Sequence, residues 1–212
     1  MVPTVMPRTA PVPAPRGRIG AGFLPVPHRY HLYLAEACPR SRRVRAAVAL
    51  LGLTGSVGTT LLGTPASYAA LRRAYEAAGH HYDGTLAVPA LCDTWSGRVV
   101  SNHTPDILDD LAVRLAGRPD LAPPAPAAFT SAVRALLDPA GPAGPAAGRA
   151  AALELLERRL AVRAYALGDR PTVADADLWV ALLDPAVLPA AGPHLRAYVR
   201  RLCAHPAFGA AS

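Results

Sequence analysis

Three cysteines in 212 residues, Cys38, Cys92 and Cys203, are too few, too scattered and odd in number for a disulfide framework. Their scarcity fits a reducing compartment, and the cytoplasm is the expected location. Long apolar runs are missing too: 51% of the residues are hydrophobic, but no stretch approaches the roughly 20 residues that span a bilayer. The opening "MVPTVMPRTAPVPAPRGRIGAG" has too much proline and too little continuous apolar sequence for a secretory signal, so residues 1–27 are expected to form a mobile tail. Acidic residues are outnumbered, 15 against 22 basic, for a net charge of +7. Yet the basic residues are arginines spread along the chain. The one dense run, Arg40, Arg42, Arg43 and Arg45, lacks the interleaved aromatics and zinc-ligand spacing of common nucleic-acid modules. Neither nucleic acid nor a membrane is therefore an expected partner. His80 and His81 stand without Cys or carboxylate at metal-ligand spacing, so no metal is expected.

What is present is a length and an apolar content that suit two small domains. "HRYHLYLAEA" alternates as a buried strand, and "RSRRVRAAVALLGL" follows as a helix with Val44, Val48 and Leu51 on one stripe, closed by Gly52. Cys38 and Pro39 fall at the junction between them. "SVGTTLLG" is a second strand, and "TPASYAALRRAYEAAG" a helix with Thr64 as N-cap, Pro65 at its first position and Gly79 as C-cap. "GTLAVPALCD" and "GRVVSN" form two further strands joined by the turn "TWSG". "HTPDILDDLAVRLAG" is then a helix opened by Thr104 as hydroxyl cap, Pro105 and Asp106. The order strand, helix, strand, helix, hairpin, helix, with a cysteine at the first strand-to-helix turn and Val88-Pro89 entering the third strand, is the thioredoxin arrangement.

A proline-rich linker, residues 119–127, closes that unit, which spans 28–118. The remainder, 128–212, shows only helical spacing, in "FTSAVRALL", "AAALELLERRLAVRAYAL", "TVADADLWVALL" and "HLRAYVRRLCA". "DPAGPAGPAAG" is a low-complexity loop between the first two. The expected fold class is thus α/β plus all-α, a thioredoxin-like domain followed by a helical one.

Several strings resemble the glutathionyl-hydroquinone reductases, the Xi class of the glutathione transferase superfamily. "RYHLYLAEACPRSRR", "LAVPALCDTWSGRVVSN" and "YALGDRPTVADADLWVALL" match that class in order and spacing, from about Arg29 to Ala116 and from about Leu153 to Leu183. The resemblance implies that Cys38 is a nucleophile and that Pro39 is its following proline. It also implies that Val88 bonds the thiol's backbone as an added strand, with Pro89 as the cis-proline. Thr172 to Asp175 would be the capping box of a core helix. A homodimer is the superfamily default.

Where the chain departs from the class, chemistry is altered. The tryptophan after Cys-Pro is Arg40, and the following Ala and His are Ser41 and Arg42. The Glu-Ser pair that grips the γ-glutamyl end of glutathione is His103-Thr104, so the hydroxyl stays and the carboxylate goes. The helical half lacks the segments that help form the quinone pocket, around Ala140 and Asp184. A cysteine at a helix N-terminus beside Arg40, Arg42 and Arg43 should be thiolate-stabilised, and these arginines suit a carboxylate-bearing thiol. With no second cysteine in Cys-Pro-x-x, the intermediate must be a mixed disulfide. Cys92 and Cys203 are expected to be buried structural residues.

The sequence therefore predicts a thiol oxidoreductase that uses Cys38, with Arg40, Val88, Pro89, His103 and Thr104 binding the thiol. Its co-substrate would be glutathione or another low-molecular-weight thiol. An Ala-, Arg-, Pro- and Gly-rich composition hints at a high-GC genome and hence at mycothiol. The competing expectation is a non-catalytic module of the same fold that binds a ligand or a partner protein.

Overall fold

The computed structural model describes residues 14–79, 82, 84–137 and 145–209. Among these residues, six strands occur in two sheets: β1 (Arg18–Ile19), β2 (Gly22–Phe23), β3 (Tyr30–Leu34), β4 (Val57–Leu61), β5 (Ala90–Asp93) and β6 (Arg98–Ser101). The main sheet has the order β4-β3-β5-β6, with β3 parallel to β4 and antiparallel to β5, and β5 antiparallel to β6. Helices α1 (Pro39–Leu50), α2 (Pro65–Ala77) and α3 (Thr104–Asp109) complete this half, α3 running on into a π-helical stretch over Asp110–Leu115. Helices α4 (Ala127–Leu137), α5 (Pro145–Ala161), α6 (Val173–Leu182), α7 (Pro193–Cys203) and α8 (Pro206–Gly209) form the rest. The mixed sheet with its helices is thioredoxin-like, and the described residues of the second half form helices joined by irregular segments, with no strand among them.

Alternation along β3 decides the layers. Tyr30, Leu32 and Leu34 point into a core shared with Val44, Val48, Ile107 and Leu111 of α1 and the α3 segment. Tyr33 faces the opposite core, where Leu71 and Tyr75 of α2 pack with Cys92 and Val99. A buried ion pair locks the β3–β5 ladder at its Tyr30↔Asp93 register. Arg29 donates to both Asp93 oxygens at 2.6 and 3.0 Å, and Ser96 adds its hydroxyl at 2.6 Å. Burial raises the Asp93 pKa, but Arg29 and Ser96 outweigh it and pull it down to about 2.

The helical half is organised on α6. Asp175 accepts from the Thr172 amide (2.7 Å), the Thr172 hydroxyl (2.9 Å), the Ala166 amide (2.8 Å) and the Tyr198 hydroxyl (2.7 Å), so the expected capping box also ties α7 and the preceding loop to α6. Trp179, fully buried, meets Phe208 of α8 edge-on at 5.5 Å between ring centroids.

Some expectations change. Residues 14–27, expected as part of a mobile tail, include a strap, residues 15–19, seated along β6. Arg16 bridges Ser101, the Gly17 amide donates to Val100 O at 2.8 Å, and Ile19 is buried. Arginine–carboxylate pairs to the α3 segment hold this proline-rich stretch where composition alone cannot; residues 1–13 lie outside the described ones. The third strand starts at Ala90 rather than near Gly84, and α5 stops at Ala161, so "VRAYAL" is irregular. Residues 138–144 of the low-complexity loop, like His80 and His81, lie outside the described residues, and 145–148 belong to α5.

Candidate active site

Cys38 is the N-cap of α1, with Pro39 at the first helical position. A proline has no N–H to lose there and pre-sets the helical φ, so the chain turns sharply from β3 into α1 and leaves the cap side chain at the helix's positive end. The thiol is half-buried, and its Sγ lies 3.8 Å from the Val88 carbonyl oxygen. Burial raises the Cys38 pKa. The Ser41 hydroxyl, the Ser41 and Arg40 amides and the Arg40 side chain act against it and win, so the thiol is more acidic than a free cysteine. Ser41 is itself buried and accepts from the Ala35 amide at 3.1 Å, which fixes its hydroxyl beside the sulfur. The Val88–Pro89 bond is cis. Tyr75 of α2 donates to Ala87 O at 2.8 Å and accepts from the Asn102 side chain at 2.9 Å, so one residue ties the Val88 segment to the entrance of α3.

At that entrance His103, not Thr104, is the N-cap, and Thr104 is the first helical residue. Thr104 is 3% exposed, and its Oγ1 has no hydrogen-bond partner among the described residues. Asp106 fills the first turn: Arg16 Nε donates to its Oδ2 at 2.6 Å, and His103 Nδ1 lies 3.2 Å from its Oδ1. Burial raises the Asp106 pKa, and Arg16 and His103 together carry it below the ordinary carboxylate value. Arg18 pairs with Asp109 and with Asp110 (2.8 Å), and the Ile19 amide donates to Asp110 at 2.8 Å, so the strap clamps the whole α3 segment.

The structure thus gathers Cys38, Arg40 and Val88 at one helix end and His103 and Thr104 at another; among the described residues no hydrogen bond or ion pair joins the two groups. Arg42 and Arg43, expected beside the thiolate, turn elsewhere, Arg42 Nε to Glu36 O (3.2 Å) and Arg43 Nε to Asp177 (2.5 Å). Arg43, five residues on from the cap, is rotated onto another face of the helix, whereas Arg42, four on, shares the cap's face but reaches back to the Glu36 carbonyl. Ser41, Asp106 and Arg16 were missed. Ser41 carried a signal, a hydroxyl at the third helical position after a cap; Arg16 carried none, because a proline-rich flank does not reveal what it docks on.

A cleft of about 470 Å³ lies between the halves, lined by Pro105 and Leu108 of the α3 segment, Phe129 and Arg134 of α4, and the Arg43–Asp177 pair. Neither Cys38 nor Arg40 borders this cleft, and Trp179 is buried in the helical core. Cys92 is buried, and burial next to Asp93 pushes its thiol up to about 12. Cys203 is exposed rather than buried. Among the described residues no group of three or more His, Cys, Asp or Glu is arranged to hold a metal ion, and no helix is long and apolar enough to cross a membrane.

A thioredoxin-like half carrying a capped cysteine opposite a cis-proline, joined to a helical half, is the build of the glutathione transferases. No protein-family model matches the chain. The glutathionyl-hydroquinone reductase PcpF of Sphingobium chlorophenolicum is 30% identical over 114 residues, a match covering 44% of this chain and 36% of that protein. The glutathione transferase Xi from Phanerochaete chrysosporium superposes with a TM-score of 0.73 at 20% identity, over 97% of this chain and 83% of the other. YqjG, a glutathione transferase homologue from Escherichia coli solved with glutathione bound, gives 0.67 at 21% identity over 90% and 78%. The chain thus has the fold of the glutathione transferases, and over 44% of its length it is similar in sequence to a glutathionyl-hydroquinone reductase.

Proposed function

We propose that this protein is a cysteine-type thiol oxidoreductase in which Cys38 takes a low-molecular-weight thiol from a conjugate or disulfide. The observation that carries the reading is the Cys38 thiol at the start of α1, made acidic by Ser41 and the first-turn amides and facing Val88 across the cis peptide. In the reaction suggested by the PcpF likeness, the thiolate attacks the sulfur of a thiol–hydroquinone conjugate. The carbon–sulfur bond breaks, the hydroquinone leaves with the electron pair and takes a proton, and Cys38 holds the thiol as a mixed disulfide. A second thiolate attacks that disulfide, releases a small-molecule disulfide and restores Cys38.

The thiol would lie along the Val88 edge, with one end at His103 and Thr104, where the orphaned Thr104 hydroxyl offers a hydrogen bond to it. With His103 where a carboxylate would meet an ammonium group, a thiol without a free amine at that end, such as mycothiol, fits as well as glutathione. A cytoplasmic homodimer accords with this reading. The cleft that leaves out Cys38 favours one other reading, a non-catalytic module that binds a ligand between its halves. Intact-mass measurement after incubation with glutathione disulfide or mycothiol disulfide separates the two. One thiol adduct on wild type and none on Cys38→Ser is expected; no adduct from either disulfide overturns the proposal.

A further inference from the structure

The two edges of the main sheet differ. Beside β6 lies the strap, with the Arg16–Ser101 bridge and the Gly17 amide on Val100 O. Beside β4 no described strand pairs, and Gly58, Thr59 and Leu61 are exposed. The Leu62 amide donates to Leu34 O at 2.8 Å, so by alternation the amides and carbonyls of Gly58 and Thr60 turn inward and those of Thr59 and Leu61 turn out. Natural sheets blunt such edges with charge, proline or a cover, yet "VGTTL" has neither charge nor proline.

The open edge leads to the cysteine. Leu61 pairs with Leu34, four residues before Cys38, and shares a shallow crevice with Glu36, Ser41, Arg42 and Arg45. Cys38, Arg42 and Arg45 follow a four- and three-residue spacing, which places them on one stripe of α1. Among the described residues no carboxylate lies within 4 Å of Arg42 or Arg45; Arg42 bonds only the Glu36 carbonyl, and the buried Nε of Arg45 has no partner. An uncharged free strand edge beside two unneutralised guanidinium groups has the main-chain and charge complementarity for an extended acidic polypeptide.

We propose that the β4 edge docks an acidic, extended segment of a partner protein whose cysteine carries a low-molecular-weight thiol in mixed disulfide, and that this is a substrate of the site. The inference rests on Cys38 being the nucleophile. The Cys38 thiolate attacks the small thiol's sulfur, the sulfur–sulfur bond to the peptide breaks, and the peptide leaves as a thiolate. A second small thiol then attacks the Cys38 mixed disulfide, leaving as a small-molecule disulfide and returning Cys38 to its thiolate.

Binding and chemistry are measured apart. A fluorescent eight-residue peptide of Val, Thr, Asp and Glu around one cysteine, disulfide-linked to glutathione, is titrated into Cys38→Ser protein by anisotropy, beside a control with lysine for each acid. Saturable binding of the acidic peptide and at least tenfold weaker binding of the control are expected. Arg42→Glu/Arg45→Glu, the milder Arg42→Ala and the edge-blocking Thr59→Pro should each weaken it at least severalfold. In the Cys38-containing protein the same substitutions should leave the adduct formed from free glutathione disulfide unchanged. Equal binding of both peptides, no loss in the variants, or displacement of the peptide by an equal concentration of oligothymidylate overturns the docking surface, while an adduct from free glutathione disulfide keeps Cys38 as nucleophile. No adduct from any disulfide overturns that underlying reading, and with it the substrate assignment, whatever the peptide binds.

Discussion

Helices α1 and α3 both begin at a residue in extended geometry with proline in the first two helical positions, and in neither does the cap side chain make the usual capping hydrogen bond to a backbone N–H. The first turn of α1 holds no acid, so its N–H groups and positive end are left for the thiolate that the chain itself places there. The first turn of α3 holds Asp106, already matched to Arg16 and His103, which answers the dipole from within. What α3 leaves open is a buried hydroxyl, Thr104, without a partner. The same local construction thus yields an anion-stabilising end and a hydrogen-bonding end, and the difference lies in which side chain reaches the turn first.

The largest expected effect falls on α1. Cys38→Ser should abolish the thiol adduct in intact-mass spectra, while Cys92→Ser and Cys203→Ser keep it; an adduct that moves with Cys203 would erase the contrast between the two helix ends. Next is Thr104→Val, which keeps the shape and removes the orphan hydroxyl. Thermal unfolding should show unchanged or higher stability, by about 1 kcal/mol, because an unsatisfied buried polar group is costly, while thiol affinity falls severalfold by titration calorimetry. A loss of stability would mean that the hydroxyl is bonded.

Ser41→Ala should move the pH profile of Cys38 alkylation upward and slow it severalfold at neutral pH. It should also cost about 1 kcal/mol through the unpaired Ala35 amide. The smallest effect belongs to Asp106→Asn. The folded Asp106 pKa is depressed, so its carboxylate contributes stability above the unfolded pKa, and that stability is lost as the pH falls toward the folded value. Wild type and variant should therefore differ most near neutrality and converge in acid, as chemical denaturation at several pH values would register.

Legibility followed distance along the chain. β3, the α1 stripe, the α2 cap at Thr64, the hairpin and the Thr172–Asp175 box could be placed from the sequence, because periodicity and capping chemistry act within a few residues. Cys38 could be singled out because its turn carries its own helix start. The partners of Arg16, Arg18 and Arg43 could not, since these reach carboxylates 90, 92 and 134 residues away. An arginine at a helix start looks the same in sequence whether it faces a thiol, a carbonyl or a carboxylate.

The sequence by itself determined the alternation of strands and helices, the proline-started turns and the placing of a lone cysteine at one of them, all products of local sterics and hydrogen bonding. Only the tertiary structure decided that Ser41 and Arg40, rather than the whole arginine run, meet the sulfur. It alone covered the β6 edge with the strap, left the β4 edge without a partner strand among the described residues, and set the interdomain cleft apart from Cys38. Those outcomes depend on which distant surfaces meet when apolar faces are buried, and no local propensity encodes them.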